Sequence, residues 1–268
     1  MTFLLFGGGL AGRLAAEALC KRHGGQMAAI VWDAATGEPP ADLGIPLIDI
    51  ADAASAADMA LCSGFGHILP GALIDSFPSG AFNAHPSLLP SYRGRHAVQW
   101  AIASGETVLG VSLHEMTKQI DQGAVLLMRG RRFGLSESYL AISESLCEMA
   151  AQMLVEFVDA TLSGVALPPI PIDPRADRYY PRRTEANNRI DWTQSSHEII
   201  NAVRATAPAY PATFRHPDGR RVAVNGVTVG RIPGQVLIAT SSGCLVATGD
   251  GTVWIESDEM LARGDILT

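Results

Sequence analysis

The chain opens on Thr2–Phe6, a short apolar run that is broken at once by Gly7-Gly8-Gly9 and followed by Leu10–His23 with helical spacing. A run this short, punctuated by glycine and followed by a helix, is the start of a βα unit. The alternation continues. Met27–Trp32, Pro46–Ile50 and Met59–Ser63 read as buried strands, with a small helix near Ala51–Ala56. Leu73–Ser76 belongs to another helix, and Ala81–His85 is a strand that runs into a proline-bearing loop. His96–Ser104 reads as a helix ended by Gly105, and Leu109–Met116 and Ala124–Phe133 as two further strands. Strands that alternate with helices in this way predict a mostly parallel sheet covered on both faces.

The expected fold class is therefore α/β: a Rossmann-like, doubly wound, mostly parallel sheet. Ser136–Leu162 is a long amphipathic helix with Ser136 as its N-cap and Gly164 beyond its end. Its apolar stripe comprises Leu140, Leu146, Met149, Met153 and Phe157. Leu167–Arg183, rich in Pro and Arg, reads as a linker. Thr193 or Ser195 caps a short helix that reaches about Ala205. From Thr213 the pattern becomes short β segments with turn signals at Pro217–Gly219, Asn225–Gly226 and Gly249–Gly251. The expected organisation is a catalytic domain over 1–165, a linker and short helix over 166–206, and a small C-terminal β module, open-barrel-like, over 207–268.

A length of 268 residues with nearly half of them apolar is enough for a sizeable core. The formal charge of -7 argues against a nucleic-acid partner. Cys20, Cys62, Cys147 and Cys244 are far apart and form no CxxC pair, so reduced buried thiols are expected and a metal site is not. No charged, apolar leader and no membrane-length run is visible, which predicts a cytoplasmic protein with no membrane partner. A homodimer is an arrangement the sequence leaves open.

Gly7, Gly9 and Gly12 fit GxGxxG, and Asp33 ends the second strand where a ribose-binding acid would fall. An NAD(P)-dependent oxidoreductase is thus one reading. The other is that the glycines only permit a tight βα turn.

The segment Phe82–Gly123 carries different chemistry. Asn83 and His85 are two residues apart, so on a strand they point to the same side. Asp121 lies in a polar loop just before Gly123. An amide, an imidazole and a carboxylate could polarise a carbonyl, hold an oxyanion and move a proton. That is acyl transfer without a serine or cysteine nucleophile. Pro86 and Pro90 stiffen the loop that follows. Taken singly, each residue also has a structural reading: a histidine after a strand, an amide bonded to backbone, a turn aspartate.

The string N-x-H-P-S-L-L-P-x-Y-R-G at Asn83–Gly94, with D-x-G at Asp121–Gly123, resembles the formyltransferases that use 10-formyltetrahydrofolate. GFGHILP at Gly64–Pro70 is similar to that family's folate loop. Ile190–Trp192 and Pro208–Phe214 resemble the start of its C-terminal module. The resemblance implies that Asn83 bonds the formyl oxygen. It implies that His85, as imidazolium, stabilises the oxyanion and that Asp121 assists proton transfer. It also implies that Phe65, His67, Ile68, Leu69, Gln119 and Ile120 hold the pterin of 10-formyltetrahydrofolate. The acceptor's own amine would be the nucleophile.

For the acceptor, Tyr92–Glu106 and Gly110–Met116 resemble the nucleotide-linked amino-sugar branch, as does the arginine- and tyrosine-bearing stretch Arg178–Arg183. Tyr92, Arg93, Trp100, Arg178, Tyr179, Tyr180 and Arg182 are the residues this resemblance assigns to the acceptor. Arginine suits a diphosphate and tyrosine a base or sugar face. His114 reads as structural. The methionyl-tRNA branch carries a basic inserted loop after the second strand, whereas Asp33–Pro46 is short and acidic here. A formyltransferase for a small amine such as a hydroxyornithine would share the donor site. The glycinamide ribonucleotide branch lacks the β module. Hydrolysis of the donor belongs to enzymes with an added N-terminal domain, for which a first strand at Thr2 is expected to leave no room.

Overall fold

The computed structural model describes residues 1–206, 210–215, 219–224, 226–229, 243–248 and 252–256. The elements begin β1 (Phe3–Gly7), α1 (Gly9–His23), β2 (Met27–Trp32), β3 (Met59–Ser63), α2 (Gly71–Ile74) and β4 (Ala81–His85). There follow β5 (Arg93–Gly94), α3 (Ala97–Ala103), β6 (Val108–Glu115), β7 (Val125–Arg132), α4 (Tyr139–Leu162) and β8 (Tyr179–Tyr180). The last are α5 (Ser196–Arg204), β9 (Ala212–Arg215), β10 (Arg221–Val224), β11 (Gly226–Val229), β12 (Cys244–Ala247) and β13 (Thr252–Glu256). The chain forms two compact units, one of Met1–Gly94, Val108–Arg132 and Ile142–Tyr179, the other of Arg95–Thr107, Phe133–Ala141 and Tyr180–Thr268.

The first unit is built on a six-stranded sheet in the order β2-β1-β3-β4-β6-β7. The first four strands run parallel, and β6 and β7 continue the sheet antiparallel. Every residue of β1 and β3 is buried, as expected of parallel strands covered on both faces. One face packs Leu4, Phe6, Ala60, Ile74 and Phe77 into a single apolar cluster. Each parallel strand points its C-terminal end to the same edge, so the loops after β3 and β4 both emerge there.

Two expectations for the elements up to α4 are corrected. Pro46–Ile50 is not a strand: Leu47 makes a single parallel bridge to Ile30, and Ile50–Asp52 turns as a 3-10 helix. The Ile30 N–H reaches the Pro46 carbonyl at 2.8 Å and the Ile48 N–H the Ile30 carbonyl at 3.0 Å, but Pro46 has no N–H to extend the ladder, and the Asp52 N–H turns back to the Asp49 carbonyl at 3.0 Å. Leu140 lies off the buried stripe of α4 and is 55% exposed; the stripe is Ile142, Leu146, Met153, Leu154 and Phe157, among others.

In the second unit, α5 packs on a small antiparallel module. β9 pairs β10, and β13 pairs both β11 and β12. Ile199, Ile200, Phe214, Val222, Val253 and Ile255 form its core. Ser195 caps α5 in a reciprocal capping box with Glu198. Ser136 is not the cap of α4, because Ser138 accepts the Ala141 N–H instead. The Arg204 guanidinium holds the Gly134 and Glu137 carbonyls, which keeps the preceding residues in a turn. Of the predicted turns, Pro217–Asp218, Asn225 and Gly249–Gly251 lie outside the described residues. No described helix is long and apolar enough to cross a membrane.

Candidate active site

The predicted residues of the first unit converge at the edge where β4 ends. Asn83 and His85 leave the same face of β4, two residues apart. The antiparallel register places Asn83 opposite His114 and His85 opposite Ser112 on β6. Asp121 comes from the β6–β7 loop with a left-handed backbone, φ 53°. That conformation is uncommon outside glycine, and it is held by neighbours. The Glu115 N–H bonds the Ala124 carbonyl at 2.9 Å across the loop's base. At Gly123 a Cβ would stand 1.9 Å from the Glu115 carbonyl oxygen, so only glycine fits that close approach.

Asp121 is the hub. One oxygen accepts the Gly94 N–H at 2.8 Å and lies 3.6 Å from His85 Nδ1; the other lies 3.5 Å from His114 Nε2. Burial pushes the Asp121 carboxyl up, but His114, His85 and the Gly94 N–H outweigh it and hold it at about 2. The carboxylate is therefore ionised throughout the neutral range.

His85 is 5% exposed. Burial lowers its pKa, with Asp121 and the Tyr92 carbonyl opposing. Its Nε2 lies 3.0 Å from the Tyr92 carbonyl oxygen, which can only accept, so Nε2 carries the proton. In the neutral ring, Nδ1 then faces Asp121 with its lone pair. The expected imidazolium is thus disfavoured by burial until a proton arrives at Nδ1, where Asp121 would stabilise it.

His114, read from sequence as structural, proves part of the constellation. Its Nδ1 donates to the Glu115 carbonyl at 2.7 Å, and its Nε2 stands between Asn83 Nδ2 at 3.2 Å and an Asp121 oxygen at 3.5 Å. These contacts fix the Asn83 amide and leave its second N–H available. Its role becomes legible only from the β4–β6 register.

Cys62, level with Asn83 on the neighbouring strand, is no nucleophile. Burial, with a smaller contribution from the Asp121 charge, pushes its thiol up to about 12. None of the four cysteines is in a disulfide.

The loop after β3 presents His67 and Ile68 outward, Ile68 being 68% exposed, and Phe65 packs edge-to-face on Phe6. In the β6–β7 loop, Gln119 and Ile120 are exposed as well. Exposed apolar groups on these two loops suit a planar heterocycle. Leu69 is the exception. Its side chain is 4% exposed and belongs to the core cluster, so it is not available to a ligand.

Asp33 decides the reading of the glycine-rich turn. Its carboxylate accepts the Ala35 and Gly66 N–H groups and lies 3.3 Å from His67 Nε2. The Gly9 N–H, at the start of α1, is taken by the Thr36 hydroxyl at 2.7 Å. Gly12 is needed for packing, since a Cβ there would lie 2.7 Å from the Gly7 carbonyl carbon. The groups a dinucleotide would use are committed to the protein itself.

The residues assigned to the acceptor fall in both units. In the first, Arg93 Nε donates to Asp177 and Nη1 to the Ile120 carbonyl, so its guanidinium braces the Asp121 loop. Tyr92, half-buried, supplies the carbonyl that meets His85, while Arg178 and Tyr179 are exposed. In the second, Trp100 Nε1 donates to the Pro181 carbonyl and its ring meets Tyr180 and Arg183. Arg182 is exposed.

Two family models match the chain: formyl transferase over residues 47–158 and formyl transferase, C-terminal domain, over residues 183–263. The chain belongs to the formyl transferase family. A methionyl-tRNA formyltransferase from Streptococcus pyogenes serotype M6 is 32% identical over 200 residues, which is 74% of this chain and 63% of that protein. The chain thus matches less than two thirds of the length of such curated relatives. Among solved structures, an N-formyltransferase from Helicobacter canadensis in complex with folinic acid and dTDP-3-aminofucose is 16% identical, with a TM-score of 0.78 over 96% of this chain and 99% of that one. WlaRD, a sugar 3N-formyl transferase solved in the presence of dTDP and 5-N-formyl-THF, is 15% identical, with a TM-score of 0.79 over 97% of this chain and 99% of that one. At these identities the two structures establish a shared fold.

Proposed function

We propose that the chain transfers a formyl group from 10-formyltetrahydrofolate to the primary amine of a nucleotide-activated amino sugar. The observation that carries this is the grouping of Asn83, His85, His114 and Asp121 around one point, beside a cysteine too basic to act as nucleophile. Such a site suits direct attack by an acceptor amine on an acyl carbon.

Phe65, His67 and Ile68, with Gln119 and Ile120, would hold the pterin. The donor supplies an activated formyl group on its N10. The free N–H of Asn83 stabilises the oxyanion that forms as the amine nitrogen bonds the formyl carbon. His85 Nδ1 takes a proton from the attacking nitrogen and becomes imidazolium beside Asp121. Collapse of the intermediate breaks the bond to N10, which receives that proton. Atoms and charge balance, and no covalent enzyme intermediate forms.

Support for an amino sugar comes from the Tyr92–Glu106 and Arg178–Arg183 sequence patterns and from the sugar N-formyltransferases that share the fold. The curated relatives of about one-third identity favour methionyl-tRNA as the second reading. The acidic balance of the chain weighs against that polyanion.

The test is formyl transfer with a panel of nucleotide-linked 3- and 4-amino sugars, hydroxyornithine and methionyl-tRNA. Asn83→Ala and His85→Ala are each expected to lower the rate on the order of 100-fold or more. Wild-type rates in both variants would overturn the catalytic assignment. Turnover of methionyl-tRNA alone would move the acceptor to the second reading.

A further inference from the structure

The second unit contains a cavity of about 360 Å³ whose lining is cationic in an otherwise acidic protein. Arg182, Arg183 and Arg221 line it together with His96, and the acidic residue among them, Glu185, is paired with Arg221.

Three observations mark it as a built recess. Arg183 is 8% exposed and rigidly held. Its guanidinium stacks 4.6 Å over the Trp100 ring, and Nη2 donates to the Asn187 carbonyl and Asn188 Oδ1. None of these partners carries a negative charge, so the Arg183 cation is fixed without being neutralised. The Arg183 Nε–H is buried with no hydrogen-bond partner among the described residues, and Gln99, also 8% exposed, lines the same cavity. A buried N–H without a partner is costly unless something supplies one. Finally, Arg182 reaches the cavity with no hydrogen bond or ion pair among the described residues.

His96 adds a donor. Its Nδ1 accepts the Arg183 backbone N–H at 3.3 Å, which puts the proton of the neutral ring on Nε2. Burial lowers the pKa of this ring, and Arg182, Arg183 and Arg95 lower it further. The site is therefore short of negative charge.

A lone carboxylate would answer one arginine fork and leave the others facing one another. A diphosphate offers several oxygens to separate donors at once. The volume lies within the range of small-molecule sites. At the wall, Tyr210 is 62% exposed and offers an aromatic face. We propose that this cavity binds the diphosphate of a nucleotide, with Arg182, Arg183 and His96 as anion ligands and Gln99 as a polar contact. Arg182 is also one of the residues assigned to the acceptor, so the proposal deepens the amino-sugar reading by giving its nucleotide a site, while its test reads binding apart from formyl transfer.

The test follows the His96 ring by NMR in the full chain, its resonance assigned with His96→Gln, while inorganic pyrophosphate, uridine diphosphate or uridine is added. Both diphosphates are expected to shift the His96 signals saturably and raise its pKa, with uridine diphosphate the tighter. Arg182→Ala, at an exposed position, should weaken this about tenfold or more, and salt should weaken it in the wild type. Asn83→Ala should leave it unchanged, which separates this site from failure of the catalytic reading. If His96 is indifferent to both diphosphates, or responds as strongly with Arg182→Ala, the proposal is overturned. An equal response to sulfate at matched ionic strength would overturn it too, reducing the cavity to a general anion trap.

Discussion

Asp121→Asn removes one charge from the hub while keeping its size and an oxygen for the Gly94 N–H. In the folded chain the carboxyl is held at about 2 against an ordinary 3.8. A gap of nearly two pH units corresponds to about 2 kcal/mol of stability. Because the folded value is depressed, that contribution is complete above the ordinary carboxyl range and is lost as pH falls through the folded pKa. Urea denaturation at neutral pH should show Asp121→Asn less stable by about 2 kcal/mol. The deficit should shrink as the solution is acidified from about pH 4 toward pH 2. A second consequence is local. The Asp121 charge opposes the burial that lowers the His85 pKa, so Asp121→Asn should drive that pKa lower still, as read from the His85 ring protons by NMR. An unchanged urea midpoint together with an unchanged His85 titration would refute the account of Asp121 as the charge that organises the site.

Gly123→Ala should dislodge the Asp121 loop, because a Cβ there meets backbone at Glu115. Formyl transfer should fall at least tenfold, and donor binding should weaken with it because Gln119 and Ile120 share that loop, measured by steady-state kinetics. Cys62 should resist alkylation by iodoacetamide at pH 8 in the folded chain and react readily in denaturant, as followed by mass spectrometry, since its thiol is pushed up to about 12. Ser195→Ala should cost about 1 kcal/mol by removing the capping box, seen as faster amide exchange across Ser196–Arg204.

Local pattern revealed most of the first unit. β2, β3 and β4 begin and end where periodicity and glycine punctuation place them, because β2 and β3 are apolar runs too short for anything but buried strands and β4 starts directly after Gly80. Pro46–Ile50 misled because its apolar residues cap a sheet edge that proline keeps from pairing further. Ser136 misled because Arg204, far along the chain, holds the carbonyls just before α4. In the site, Asn83, His85 and Asp121 were visible as chemistry on one strand face and one loop. His114 was not, since its role depends on a cross-strand register that no local pattern encodes. Leu69 was assigned by its place in a motif, yet its side chain faces the core. The cationic recess needed residues from α3, the stretch after β8 and β10, which are distant in sequence.

Asp33 has a consequence for how such a fold changes its cofactor. In a dinucleotide enzyme, the acid at this position is spent on a ribose. Here the same carboxylate latches Gly66 and His67, in the loop assigned to the pterin. One carboxylate cannot serve both, so a lineage or an engineer that recovered nucleotide binding at the glycine turn would unlatch Gly66 and His67 in doing so. The ribose and the latch are rivals for a single side chain.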